Sequence, residues 1–230
     1  MKIAYCGLGL TPGKIKYNDP ILNELEKKFK PKKFTPYFFE LCENEFEKCE
    51  ATVIAREKML DLLVLDLEKL EARLERSEDD KEKAVAKKCI AELEKEIPLC
   101  DVPFSPEEVE ILKVLSLVSF KGTVVMDNTP DDINPLLEKA MLKAGSVFFY
   151  TAGKQEVRSW IVKKDSDIVT CAGKIHTDLA RGFIKADVIH FDEFKNFHNF
   201  NDAREKGAMR LEDKNYIIKY GDIIEIRFNV

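Results

Sequence analysis

FFYTAGKQEVRSW at 148–160, AGKIHTDLARGFIKADVIHFDEF at 172–194 and DKNYIIKYGDIIEIRFNV at 213–230 decide the reading of this chain. Val157 to Lys163 and Phe183 to Phe191 are rich in β-branched and aromatic residues and read as strands. Tyr216 to Ile218, a turn at Lys219-Tyr220-Gly221-Asp222, and Ile223 to Phe228 read as a hairpin. A short helix is expected near Asp202 to Lys206, ended by Gly207. A small mixed sheet with one or two short helices is a β-grasp plan, close to ubiquitin.

Working outward, the first 147 residues alternate strands and helices, the pattern of a parallel sheet with crossovers. Ile3 to Cys6 is a short apolar run that leads into glycines. In Asp19 to Phe29, Ile21, Leu22, Leu25 and Phe29 fall on one helical face, with Pro20 near the start and Pro31 past the end. Phe34 to Leu41 reads as one strand. About Ala51 to Arg76 reads as a long helix, with Leu63, Leu67, Leu70 and Leu74 on one stripe. The same spacing returns at Ala86, Ile90, Leu93 and Ile97. The polar run Ser77 to Asp80 between them predicts an antiparallel helical hairpin over about 60–98. Ser105-Pro106-Glu107-Glu108 is a capping box with proline at the first helical position. Thr123 to Met126 reads as a strand. Asp132 to Ala144 reads as a helix closed by Gly145.

The bulk numbers bound the function. The chain has 230 residues, enough for one or two domains, and its net charge of −5 argues against a surface that coats nucleic acid throughout. The charge is uneven: residues 148–230 hold 14 basic and 13 acidic side chains, whereas the remainder is acidic overall. Cys6, Cys42, Cys49, Cys89, Cys100 and Cys171 form no CxxC pair, so no zinc site is expected. No apolar run is long enough to span a bilayer and no signal peptide is evident, so the chain reads as cytoplasmic with free thiols and no membrane or DNA partner.

The nearest approach to a chemical motif is Gly9-Leu10-Thr11-Pro12-Gly13-Lys14-Ile15. A phosphate-binding P-loop needs G-x-x-x-x-G-K-[ST], in which backbone amides wrap the phosphates and the hydroxyl holds magnesium. Here only three residues separate the glycines, Ile15 replaces the hydroxyl and Pro12 removes an amide donor. Two readings fit: a strand-to-helix turn that keeps glycines for geometry, and weak ATP or GTP binding without the usual magnesium ligand.

His176, His190 and His198 have no second histidine or cysteine at ligand spacing, and His176 reads as a structural residue that donates to backbone. Trp160 is either a stacking surface or a core residue. Lys174, Arg181, Lys185, Arg204, Arg210 and Lys214, with aromatic residues interleaved, could track RNA, or could simply solvate a small domain.

These segments together resemble the Obg-like ATPase (YchF) family. The C-terminal stretch is similar to its TGS domain. Asp19-Pro20-Ile21-Leu22 through Lys30-Pro31-Lys32-Lys33 is similar to the segment after its first switch. Leu60 to Glu75 is similar to its helical arm, and Arg227-Phe228-Asn229-Val230 to its ending. Asn128-Thr129-Pro130-Asp131 stands where the family has N-x-x-E, its base-recognition motif. The resemblance implies an α/β remnant of a P-loop nucleotide-binding domain with an inserted helical hairpin (1–147), followed by a TGS-type, ubiquitin-like β-grasp domain (148–230). It also implies a nucleotide set of Gly9, Gly13, Lys14, Asn128, Thr129 and Asp131, and a ribosome or RNA partner for the TGS domain. The departures matter. Glu43-Asn44-Glu45-Phe46 lacks the second-switch D-x-x-G, the first switch is nearly absent, and the chain runs almost directly into the arm. Phosphoryl transfer depends on positioned charge and held magnesium. The expectation is therefore a degenerate, non-hydrolysing relative bound to ribosome or RNA. A weak nucleotide-binding regulator is the alternative and an active NTPase ranks last. An exposed apolar face on the shortened sheet would favour a homo-oligomer.

Overall fold

A computed structural model describes residues 1–229. The chain forms two compact units: Met1–Ile15 with Phe39–Ala144, and Lys16–Phe38 with Gly145–Val230. It therefore does not divide at the single point near 147 that the sequence suggested. The segment after Ile15 belongs with the C-terminal residues, because its helix and strand complete their core and sheet.

Strands β1 (Lys2–Cys6), β2 (Gly13–Lys16), β4 (Phe38–Glu43), β5 (Ala51–Ala55) and β6 (Gly122–Met126) form a sheet in the order β2-β4-β1-β5-β6. The pairs β1–β4, β1–β5 and β5–β6 are parallel. β5 corrects the expected long helix. Its five residues ATVIA are all buried in the middle of the sheet, and a short apolar run of this kind has no period that separates strand from helix. The helix starts later, as α2 (Met59–Arg76), and is followed by α3 (Asp80–Leu93). A strand thus stands between β4 and α2, where the sequence was read as passing almost directly into the arm.

α2 and α3 pack on each other through Leu62, Leu63, Leu70, Val85, Ala86, Cys89 and Leu93. At their junction Arg73 Nε donates to Glu82 Oε1 at 2.6 Å and Ser77 Oγ donates to Glu82 Oε2 at 2.5 Å. α2 carries one buried carboxylate, Asp66, which accepts the backbone N–H groups of Val118 and Ser119, both at 2.7 Å. These residues follow α4 (Pro106–Leu115), whose capping box is present. Desolvation raises the Asp66 carboxyl above its ordinary range, against the pull of the two amides. α5 (Asn134–Lys143) returns against β6 so closely that a Cβ on Gly122 would lie 2.3 Å from Ala144 N.

The second unit is built on a six-stranded sheet in the order β10-β9-β11-β7-β8-β3. Its strands are β3 (Lys33–Thr35), β7 (Ser146–Ala152), β8 (Glu156–Lys163), β9 (Phe183–His190), β10 (Arg210–Glu212) and β11 (Asp222–Phe228). β7 pairs antiparallel with β8 and parallel with β11; β9 pairs antiparallel with β10 and β11; β3 pairs parallel with β8. Two corrections follow. Phe34 to Leu41 is two strands in two sheets, since Pro36 cannot donate to a ladder and the chain leaves β8 there. Tyr216 to Ile218 forms no hairpin with β11; only Ile217 makes an isolated bridge, to Asp167.

α1 (Pro20–Phe29) lies against β7 and β8 and buries Leu22 and Leu25. Asp19 caps it, accepting from Ile21 N at 2.9 Å and Leu22 N at 3.2 Å. α6 (Ile168–Ile175) packs on the other core cluster, with Val147, Phe149, Val162, Val188 and Ile224. α7 (Thr177–Arg181), α8 (Phe191–Phe194) and α9 (Phe200–Glu205) are short, and Gly207 ends the last with φ +72°. Lys28 of α1 reaches across to the carbonyls of Phe194, Lys195 and Phe197 beyond α8, with its ammonium 4.5 Å from the Phe194 ring centroid.

Candidate functional site

In an open parallel sheet, ligands bind outside the carboxyl ends of the strands. In the first unit that edge is formed by the loops after β1, β4, β5 and β6. The loops after β1 and β6 meet: Thr129 Oγ1 donates to Leu8 O at 2.8 Å. Tyr5 Oη donates to Leu10 O at 2.8 Å, which fixes the first loop from below. Arg56, just past β5, pairs with Asp127 at 2.5 Å. Gly7 has φ +73°, and a Cβ there would lie 2.7 Å from Lys58 Cγ and 2.9 Å from Ala55 Cβ. The Lys58 stem therefore packs against the space beside this turn.

The expected nucleotide residues are only partly assembled. Gly9 lies exposed in the loop after β1, and Asn128, Thr129 and Asp131 lie in the loop after β6. The Leu8–Thr129 bond joins these two groups. Gly13 and Lys14 go elsewhere. They begin β2, so the strand-to-helix turn expected over Gly9–Ile15 runs into a strand, and the first helix of the chain starts only at Pro20. β2 and β6 are opposite edges of the sheet. At about 4.8 Å per strand spacing, the four intervals put them roughly 19 Å apart. No helix N-terminus follows β1 to present its amides to a phosphate. These residues do not fit the triphosphate of a nucleotide as a P-loop would.

In the second unit most of the expected RNA-contacting cations already have carboxylate partners. Arg181 pairs with Asp178 at 3.0 Å, Lys185 with Asp213 at 2.9 Å and Arg210 with Glu212 at 3.4 Å. Arg204 reaches Asp187 at 3.4 Å and also Glu225. Among the described residues, Lys174 and Lys214 have no ion pair. The rings of His176 and His190 serve the backbone. His176 Nδ1 accepts from Asp178 N at 3.2 Å, the reverse of the donor role read from sequence, and His190 Nδ1 accepts from Asp192 N at 3.2 Å. No group of three metal-ligating side chains occurs among the described residues. No helix among them is long and apolar enough to cross a membrane.

A concavity of about 670 Å³ lies at the end of β3, lined by Lys16, Phe34, Thr35, Pro36, Tyr37, Phe38, Arg158 and Ser159. The Arg158 guanidinium lies 3.7 Å from the Trp160 ring centroid, and that ring stacks on Phe149 at 6.3 Å and 11°. Lys16 Nζ sits 5.3 Å from the Phe34 ring centroid. Phe38 is 50% exposed. Sequence reading missed this grouping because Phe34 to Phe38 looked like core strand. The signal available was Pro36 within that run, which demotes a strand.

Residues 147–229 match the family model YchF-GTPase_C, described as "Protein of unknown function (DUF933)". The ribosome-binding ATPase YchF of Mycoplasma genitalium is 41% identical over 98 residues, covering 43% of this chain and 27% of the relative. That of Escherichia coli O157:H7 is 30% identical over 203 residues, covering 65% and 56%. Obg-like ATPase 1 of Rattus norvegicus is 34% identical over 128 residues, covering 56% and 32%. The chain thus spans from about a quarter to just over half the length of these relatives. The fold matches the YchF GTPase of Schizosaccharomyces pombe with a TM-score of 0.81 at 17% identity, over 99% of this chain and 97% of the other.

Proposed function

Because the chain belongs to the YchF (Obg-like ATPase) family, we propose that it is a non-hydrolysing, degenerate member that binds the ribosome or an RNA. In this reading the second unit is a TGS-type β-grasp domain extended by α1 and β3, and α2 with α3 is the inserted helical hairpin. The observation that carries it is the placement of Lys14. It lies on an edge strand, across the sheet from Asn128 and with no helix behind it. Phosphoryl transfer needs the phosphates, magnesium and nucleophile held together, and the residue that would hold the outer phosphates is displaced from the loop that would read the base. Ile15 also offers no hydroxyl to magnesium. Ribosome association is supported by the bacterial relatives, which are ribosome-binding ATPases.

The test pairs two measurements. Purified protein is expected to pellet with ribosomes and to release as salt rises, because phosphate contacts exchange with counterions. It is expected to release no phosphate from ATP or GTP. ATP turnover abolished by Lys14→Ala would overturn the reading.

A second reading rests on the Leu8–Thr129 contact, which places Gly9 and Asn128 in adjoining loops at the carboxyl edge. A base or ribose held there would give weak, magnesium-independent nucleotide binding. Saturable heat of binding lost in Asn128→Ala would favour it.

A further inference from the structure

We infer that the concavity at the end of β3 is the element that grips RNA, by stacking one unpaired nucleotide. The inference rests on the ribosome or RNA reading above and names its point of contact.

The groove exists because the β3–β8 ladder stops early. β3 covers β8 only from Glu156 to Arg158, and Pro36 then turns the chain away. The rings of Phe34, Tyr37 and Phe38 follow. Tyr37 is anchored inward, its ring 5.2 Å from that of Phe148 in an edge contact. Phe38 is left as the open face, while Phe34 is half-buried with the Lys16 ammonium over its ring. Stacking on such faces is sequence-tolerant because every base has a π-face.

The charge around the rings supplies the second half of the chemistry. Arg158 sits over the Trp160 ring, 3.7 Å from its centroid, so its guanidinium is positioned before a ligand arrives. Among the described residues neither Arg158 nor Lys16 has an ion-pair partner, unlike Arg181, Lys185, Arg204 and Arg210. Glu156, whose carboxyl feels the Arg158 charge, is engaged by Lys33 at 2.8 Å and Thr35 at 2.6 Å. At the other end of the β3–β8 pair, Lys32 N donates to Lys154 O at 3.0 Å, which brings together two more lysines that have no ion pair among the described residues. Cations therefore lie along β3, and two of them sit over the rings of Phe34 and Trp160 beside the exposed Phe38. A duplex hides its base faces, and an acidic peptide would use the cations and ignore the rings. Only a single strand satisfies both.

The test is fluorescence anisotropy of the full chain with a labelled 12-nucleotide single-stranded RNA of mixed sequence. Duplex RNA and polyglutamate serve as competitors, and ribosome co-sedimentation runs in parallel. The single strand is expected to bind, with both competitors at least about tenfold weaker. Phe38→Ala and Arg158→Ala are expected to weaken binding at least about fivefold, the lower end for one lost base stack. Lys16→Ala, at an exposed site, is expected to reduce the salt slope by about 1. Lys174→Ala serves as the control and is expected to bind as the unaltered chain does. Circular dichroism confirms the fold of each variant, and Lys16→Ala carries the test if Arg158→Ala fails to fold. If the chain pellets with ribosomes but Phe38→Ala and Lys16→Ala bind RNA unchanged, or polyglutamate competes equally, the groove assignment is overturned and the ribosome reading survives. If the chain binds neither ribosome nor RNA, both fall.

Discussion

The buried phenol of Tyr150 on β7 donates to Asp19 Oδ2 at 2.9 Å, while Asp19 Oδ1 caps α1. One carboxylate thus starts a helix near residue 20 and ties it to a strand 131 positions later. Burial, then the charge of Asp19, raises the Tyr150 hydroxyl well above its ordinary value, so it stays a donor. Tyr150→Phe should destabilise the fold by about 1.5–3 kcal/mol, the range for a hydrogen bond to a charged group. Asp19→Ala should cost more, since it removes the cap as well. Urea unfolding monitored by circular dichroism measures both, and a Tyr150→Phe midpoint equal to the parent would show the bond contributes nothing.

Asp66 predicts a second, separable loss. Asp66→Ala would strand the buried N–H groups of Val118 and Ser119, at about 1–3 kcal/mol each. Asp66→Asn should cost less, since an amide oxygen can still serve one of them. The two variants are compared by thermal melting. Equal melting temperatures would mean the two amides find other partners.

Glu82 gives a pH dependence with a definite sign. Hydrogen bonds from Arg73 and Ser77 hold its carboxyl below the ordinary range. The stability it contributes is therefore present above the ordinary carboxylate range and is lost as pH falls through the lower folded-state value. Glu82→Gln should flatten the stability curve on that acid side and leave its slope near neutrality unchanged. Urea midpoints between pH 6 and 3 report this.

Gly122→Ala tests the packing of α5 on β6. The added methyl would meet backbone at 2.3 Å, where no side-chain rotation relieves it. The expected loss is about 1–3 kcal/mol, the usual range for overpacking. A melting temperature within a degree of the parent would contradict the close approach.

Local signals were legible where one residue sets its own geometry. The capping box at Ser105–Glu108, the strands expected at 157–163 and 183–191, the latter ending one residue earlier, and the helix ended by Gly207 follow from spacing and turn chemistry alone. Long-range pairing was not legible. ATVIA became a strand because β1 and β6 pair with it and α5 packs beside it, which its five residues cannot encode. Tyr216 to Ile218 has strand composition, but β9 and β7 had already taken both edges of β11. Gly13 and Lys14 were misread for the same reason: a short glycine-lysine run matches a loop motif, and only the edge of β4 makes it a strand. The groove needed Phe38 and Arg158 brought together from distant segments, which no local pattern reports.

β3 completes a sheet whose remaining strands lie more than a hundred residues downstream. During synthesis, at roughly 5–20 residues per second, the segment carrying α1 and β3 leaves the ribosome on the order of ten seconds before β7 and β8 exist to cover it. Throughout that interval Leu22, Leu25 and Phe29 have no permanent cover. The nascent chain must keep this amphipathic helix from other partners while the first unit folds around the gap, which makes the order of emergence a folding problem in itself.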